Sequence, residues 1–313
     1  VKKIAFLFPG QGSQTVGMGQ EFFQEYDAVK DIFNMASEIT QLNLRKLCFE
    51  GPMEELTQTV NLQPAMTAVN LACLAVLEAK GMTPHFAAGH SLGEYAALHA
   101  AGVLSKEDTL RLVFKRGQLM HREATRYIGA MSAVIGLNIE RVQELVLEAQ
   151  KAGIVSVANH NTETQIVITG SPEGVKQAAF LASAEGAKAI PLKVSGAWHS
   201  ELIKGAEAEF SEFIEGIEFN QPKIPVIFNV TAGPINAPAE IKDIMAAQLV
   251  SPVRWYDAMR RLMDEKVEMF VEVGPGRVLS GLLKRIAPKN DSYHVFNVQN
   301  RQTLNSCVEA ILT

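Results

Sequence analysis

The sequence predicts an α/β protein, in which a parallel sheet flanked by helices is interrupted by a smaller antiparallel unit. Apolar runs at 4–8 and 86–88 each end in a glycine turn and pass into helical periodicity, the strand–turn–helix succession of a parallel sheet. The same alternation returns after residue 200. Between these stretches the order becomes strand, helix, strand, strand, helix, strand, which is the ferredoxin-like βαββαβ unit. The reading is a discontinuous larger domain over 1–124 and 197–313, with a ferredoxin-like small domain over 125–196 inserted into it.

Residues 4–8 are apolar without a break, as in a fully buried strand, and Pro9 and Gly10 stop it. Helical patterns fill the stretch to Lys80, among them the Ala/Leu/Val-rich 63–78, with Gly81 as its C-cap. The strand at 86–88 leads through Gly89 into a helix that starts at Leu92 and stops at Gly102. Ser105 and Asp108 form a capping box for a helix from 106 to about 122. The inserted unit reads as a strand at 130–137, an amphipathic helix at 139–152 and strands at 154–158 and 165–169 around a polar turn at 160–163. A helix opened by Ser171, Pro172 and Glu173 and a strand at 189–194 complete it. A helix at 200–215, strands at 225–229 and 269–273, the turn Gly274-Pro275-Gly276 and a helix from Val278 resume the larger domain.

A chain of 313 residues buries most of its unfolded surface without covalent staples. Apolar residues at 47% and charged residues at 20% exclude wholesale disorder and low-complexity architecture. The net charge of −5 leaves no basic footprint for general nucleic-acid binding. Cys48, Cys73 and Cys307 are odd in number and scattered, with no CxxC and no Cys/His cluster. Neither a disulfide framework nor a structural metal site is expected, and a reducing cytoplasm is the fitting compartment. The apolar run at the N-terminus is shorter than the roughly 7 residues of a signal-peptide core. No segment is expected to reach the roughly 18 apolar residues of a membrane span.

Gly89-His90-Ser91-Leu92-Gly93 fits G-x-S-x-G, the nucleophile elbow of α/β hydrolases, and has a strand before it and a helix after it. This makes the larger domain α/β-hydrolase-like and Ser91 the candidate nucleophile. A Cβ at 89 or 93 would collide with neighbouring backbone in so tight a turn, and the following helix aims its free N–H groups at the serine. The alternative is an ordinary strand-to-helix turn capped by a serine.

A serine hydroxyl needs a base. Of seven histidines, His90 adjoins the serine and points away from it, while His99 and His121 fall within helical patterns. His85 opens a strand, His160 sits in the polar turn and His294 lies near a late strand. His199 stands at the domain junction, before a helix, and follows the nucleophile in chain order as a base does in α/β hydrolases. Its competing role is to cap the helix entry. No Asp or Glu stands out as a third triad member.

Arg116 falls between Leu112 and Met120, in the middle of the apolar stripe of its helix. A guanidinium there must be paired. Its partner is either an acid of this chain or a ligand carboxylate, which the planar fork grips through two hydrogen bonds. The loop Gly10-Gln11-Gly12-Ser13-Gln14 is neither GxxxxGK[ST] nor GxGxxG and does not read as a nucleotide site. It is either a plain turn or the source of an oxyanion donor beside the N–H of Leu92.

Together these pieces resemble the malonyl-CoA:acyl carrier protein transacylases of bacterial fatty-acid synthesis, over essentially the whole chain. The markers are Phe8-Pro9-Gly10-Gln11-Gly12-Ser13-Gln14, Gln63-Pro64-Ala65, the elbow continued by Glu94-Tyr95, Arg116-Gly117, Gly196-Ala197-Trp198-His199-Ser200 and Glu272-Val273-Gly274-Pro275-Gly276. The resemblance implies that Ser91 is acylated and His199 is its base. It implies that the N–H groups of Gln11 and Leu92 form the oxyanion hole and that Arg116 clamps the malonyl carboxylate. It further implies that a backbone carbonyl at Gln248 orients His199 in place of an acid, that Gln63 lies near the pocket, and that the small unit walls the cleft. Malonyl-CoA and acyl carrier protein are the implied partners, with no cofactor beyond the thioester, no membrane, no nucleic acid and a monomeric state. Trp198 departs from the phenylalanine usual in the family and reshapes the acyl pocket. Leu92 after the nucleophile is similar to the malonyl-type pattern.

A serine esterase or thioesterase uses the same Ser–His pair and differs only in passing the acyl group to water. An idle acyl-CoA binding subunit would have no need of both Ser91 and His199. Lys188, Lys193, Lys284 and Arg285 are candidates for a carrier-protein patch, or plain solvated surface charges.

Overall fold

The computed structural model describes residues 2–287 and 293–312. The strands are β1 (Ile4–Phe8), β2 (Phe86–Gly89), β3 (Ala130–Ile135), β4 (Val155–Thr162), β5 (Gln165–Gly170), β6 (Lys188–Pro191), β7 (Val226–Ile227), β8 (Met269–Val273) and β9 (His294–Val298). Five of them form one sheet in the order β7-β2-β1-β8-β9, every neighbouring pair parallel. The unbroken apolar run of β1 has a physical reason in this arrangement. Phe6 and Phe8 enter the cluster on one face while Ala5 and Leu7 enter the cluster on the other. A parallel sheet covered by helices on both faces has no polar side to alternate with.

The other four strands form an antiparallel sheet in the order β4-β5-β3-β6. Val134, Ile166 and Ile168 of this sheet pack against Val142, Leu145 and Val146 of the helix Ile139–Ala149 and Val175 and Ala178 of the helix Pro172–Ala184. The caps read from sequence are in place. Ser105 Oγ accepts from the Asp108 N–H at 3.0 Å and donates to its carboxylate at 2.7 Å. Ser171 Oγ accepts from the Gly174 N–H at 3.2 Å. The three cysteines are buried and unpaired.

Several boundaries move. The helix from Lys106 extends to Arg126, the strand expected at 225–229 is only β7, and the helix expected at 200–215 begins as the 3₁₀ turn Glu201–Ala206 before Glu207–Glu215. The polar turn expected at 160–163 is a larger correction, because His160, Asn161 and Thr162 lie in β4 and are buried. β4 stays paired with β5 as far as Thr162, and its other edge meets the larger unit at Val253. The Val253 N–H donates to the Ala158 carbonyl at 2.8 Å, and the His160 N–H donates to the Val253 carbonyl at 2.9 Å. The His160 ring sits 4.9 Å from that of Tyr256. Polar residues that look like a solvated turn are therefore consumed by a junction.

A second correction concerns membrane-length segments. The helix Thr59–Ala79 is long and apolar enough to cross a bilayer, but 89% of its most apolar stretch is buried inside the protein. It is the central core helix. The helix Lys106–Arg126 packs on it closely, since a Cβ at Gly117 would lie 3.1 Å from the Thr59 carbonyl oxygen. That approach brings Arg116 next to Gln63.

Candidate active site

β1 and β2 lie side by side with Phe8 opposite Gly89, so the loops leaving their carboxyl ends meet. Open parallel sheets bind ligands in this place. Ser91 has φ 49°, a left-handed conformation that a residue with a Cβ adopts at a cost of about 1–3 kcal/mol. The flanking glycines are obligatory. A Cβ on Gly89 would sit 2.0 Å from the Gly93 carbonyl carbon, and one on Gly93 would sit 2.0 Å from the Phe8 carbonyl oxygen. The substitution Gly93→Ala must push β1 away from the elbow helix Gly93–Ala100. It is expected to cost about 3 kcal/mol or more, read as a lowered thermal midpoint together with lost activity.

His199 Nε2 lies 2.8 Å from Ser91 Oγ, and its Nδ1 lies 2.9 Å from the carbonyl oxygen of Gln248. A carbonyl only accepts, so Nδ1 carries the proton and Nε2 is left to receive the serine proton. Burial first, and the nearby positive Arg116 second, push the imidazole down to about 3. It stays neutral at ordinary pH, the state a general base requires. His90 is spoken for elsewhere, with Nε2 2.8 Å from Asn161 Oδ1.

Arg116 is 1% exposed. One terminal nitrogen donates to Gln63 Oε1 at 2.9 Å, and the other donates to Ser91 Oγ and to Gln248 Oε1, both at 3.1 Å. Its Nε has no partner among the described residues, and Tyr95 lies beneath it with its ring 5.7 Å from the guanidinium carbon. Every direct partner is neutral. The nearest acid, Glu94, is reached only through Gln248, whose Nε2 donates both to the Ser91 carbonyl at 3.0 Å and to the Glu94 carboxylate. Of the two pairings open from the sequence, a direct ion pair with an acid of the chain is not formed among the described residues.

Ser91, His199, Arg116 and Gln63 line a cavity of about 110 Å³, together with Gln11, Leu92, Met120 and Trp198. Its size suits a short acyl group, since a cavity of about 150 Å³ takes benzene. The larger groove of about 1100 Å³ between Met35, Phe114 and Phe213 contains none of the site residues. The loop at Gly10 rests on the elbow, for a Cβ there would lie 2.4 Å from the His90 carbonyl oxygen and 3.5 Å from the Leu92 nitrogen. Neither the Gln11 N–H nor the Leu92 N–H donates to an acceptor among the described residues. Trp198 is buried, with its Nε1 unpartnered among the described residues. A side chain at Gly196 would press on its ring at 2.7 Å. Glu272 serves structure, accepting from the N–H groups of Leu279 and Ser280 at 3.0 and 2.9 Å at the start of the helix Val278–Ile286.

Two participants are given no role in the sequence reading, although Glu94 stands among its markers. Asn229, just past β7, accepts from the Ser91 N–H and donates to the Gly89 carbonyl, each at 2.7 Å, and so braces both sides of the elbow. Glu94 is wholly buried and accepts from the Asn229 N–H at 2.6 Å. A sequence signal for Glu94 does exist, because it is a lone acid in the otherwise apolar run GEYAALHA.

Comparison with known proteins agrees with this geometry. The acyl transferase domain family matches residues 5–298. The malonyl CoA-acyl carrier protein transacylase of Bacillus subtilis (strain 168) is 42% identical, covering 99% of this chain and 98% of that protein. The acyl carrier protein S-malonyltransferase structure from Vibrio cholerae superposes with a TM-score of 0.92 at 40% identity, covering 97% of this chain and 99% of the other. A malonyl-transacylase solved in complex with its type II polyketide acyl carrier protein gives 0.94 at 37% identity, covering 98% and 99%. With the elbow, the histidine bonded to its serine and the buried arginine at hand, and with relatives of this similarity along its whole length, the chain belongs to the acyl transferases and, within them, to the malonyl-CoA:acyl carrier protein transacylases.

Proposed function

We propose that this protein moves a malonyl group from malonyl-CoA to the phosphopantetheine thiol of an acyl carrier protein through a malonyl ester on Ser91. The observation that carries the reading is a buried arginine with only neutral direct partners, within hydrogen-bond distance of the hydroxyl that a buried neutral histidine also holds.

In the first half-reaction His199 Nε2 takes the Ser91 proton as Oγ attacks the thioester carbon. The oxyanion is received by the unengaged N–H groups of Gln11 and Leu92, each such donor worth on the order of 10²–10³ in rate. The tetrahedral adduct collapses, the C–S bond breaks, and His199 returns the proton to the departing coenzyme A thiolate. In the second half-reaction the pantetheine thiol gives its proton to His199 and attacks the ester carbon, and Ser91 leaves with that proton. The Gln248 carbonyl holds the imidazole tautomer through both steps. Arg116, set by Gln63 and Gln248, grips the malonyl carboxylate and fixes which carbonyl faces Ser91. The steps require no cofactor beyond the thioester, and a monomer in the cytoplasm is the state we assign.

The architecture supports the same reading. We take residues 1–124 and 197–313 as an α/β-hydrolase-like catalytic domain and 125–196 as a ferredoxin-like domain that walls the cleft. The antiparallel order β4-β5-β3-β6 and the elbow at the end of β2 support these assignments. The discriminating experiment is coenzyme A release from malonyl-CoA with and without holo acyl carrier protein. Turnover that depends on the carrier and leaves malonyl-carrier as product is expected. Equal release in its absence, with free malonate as product, would establish a thioesterase instead.

A further inference from the structure

Behind the nucleophile lies a buried acid, linked to Arg116 through Gln248, that the transfer steps do not use. Glu94 Oε1 accepts from the Asn229 N–H and Oε2 accepts from Gln248 Nε2, while Gln248 Oε1 accepts from Arg116. One side-chain amide thus links a buried carboxyl group to a buried guanidinium, and the backbone carbonyl of the same residue holds His199.

The surroundings supply no other charge. On its own helix Glu94 has Tyr95, whose phenol burial pushes up, and at the far end His99, bonded to the Leu104 carbonyl. The helix Lys106–Arg126 contributes Arg116. The helix Thr59–Ala79 presents the neutral Gln63 and Asn70 to this region, its one acid, Glu78, lying at the other end near Lys106. β1 has no titratable side chain, the elbow has His90 on Asn161, and His199 is held neutral. The cluster therefore holds one cation and one ionisable acid.

A malonyl carboxylate brings a second anion to that single cation. Two anions in one buried site do not both stay ionised, and the pair sheds the surplus by taking a proton. Resting on the malonyl-transfer reading, we infer that Glu94 is a positioning residue that must be uncharged for Arg116 to receive the substrate carboxylate, so that a Glu94 still ionised in the empty site takes a proton from solvent when malonyl binds. One O–H bond forms on the Glu94 carboxylate, the proton comes from water, and no electrons are exchanged.

Burial lifts the Glu94 carboxyl to about 8 in the empty site, and a second anion raises it from there. Below about pH 8 the group already holds its proton and malonyl binding takes up none. Above it, each captured malonyl group takes up one. Acylation measured as kcat/KM for malonyl-CoA is therefore expected to fall about tenfold per pH unit above about pH 8. In Glu94→Gln, which is neutral throughout, that descent disappears. A second readout needs no variant: the infrared difference spectrum of malonyl-loaded minus empty wild-type enzyme at about pH 9 gains the stretch of a protonated carboxylic acid. A flat wild-type profile, a descent that persists in Glu94→Gln, or a difference spectrum without that band overturns the inference. Absence of any malonyl adduct on Ser91 at every pH is a separate result and overturns the transfer reading itself.

Discussion

Replacing Ser91 by alanine is expected to abolish the acyl-enzyme and to lower transfer by at least about 10⁴-fold, with the fold retained. Oγ is the atom that His199 Nε2 contacts at 2.8 Å and that Arg116 contacts at 3.1 Å, so its loss removes both the proposed nucleophile and the point where imidazole and guanidinium converge. The backbone of the elbow does not depend on that oxygen. It is held by Asn229 through the Ser91 N–H and the Gly89 carbonyl, contacts that alanine preserves. The difference from Gly93→Ala is diagnostic, because that change strikes the backbone first and activity second. Intact-mass spectrometry after mixing with malonyl-CoA alone checks the expectation. Wild type gains one malonyl group and Ser91→Ala gains none. A malonyl adduct on the variant places the nucleophile elsewhere.

Arg116→Ala is expected to impair malonyl transfer far more than acetyl transfer. Leaving one member of a desolvated charge pair without its partner costs about 2–5 kcal/mol, or roughly 30-fold to several-thousand-fold in kcat/KM. Acetyl-CoA brings no carboxylate and forfeits no such pair. Some loss on both substrates is built in, because the guanidinium also touches Ser91 Oγ and fixes Gln63 and Gln248. The measurement that decides is therefore the ratio of malonyl to acetyl kcat/KM in wild type and variant. An unchanged ratio removes the carboxylate clamp and leaves Arg116 as a brace for the serine.

Much of this site was legible from the chain because its chemistry follows local rules. The elbow announces itself through glycines that the strand–turn–helix geometry cannot replace, since a Cβ at Gly89 or at Gly93 would come within 2.0 Å of backbone. Arg116 stood out because a charge in an apolar stripe violates helical periodicity, and it is 1% exposed. No third acid is legible because His199 Nδ1 meets a main-chain carbonyl, that of Gln248, which carries no side-chain signature. What escaped was long-range. Asn229 meets Ser91 across 138 positions, and the Gln248 amide meets Glu94 across 154. No period in the sequence links such pairs. The turn expected at 160–163 failed for the same reason. Polarity there suggests exposure, whereas Asn161 Oδ1 meets His90 Nε2, the His160 ring lies on Tyr256 and the His160 backbone N–H donates to the Val253 carbonyl.

The reach of β4 into the larger unit bears on how substrates come and go. Main-chain hydrogen bonds between Ala158, His160 and Val253 stitch the wall of the cleft to its floor. Two backbone hydrogen bonds across such a seam oppose clamshell motion, so an entrance of one width is expected for both the small donor and the protein acceptor. Exchange between them becomes a matter of threading a slender pantetheine arm through a standing doorway, and fidelity falls to the side chains lining that passage.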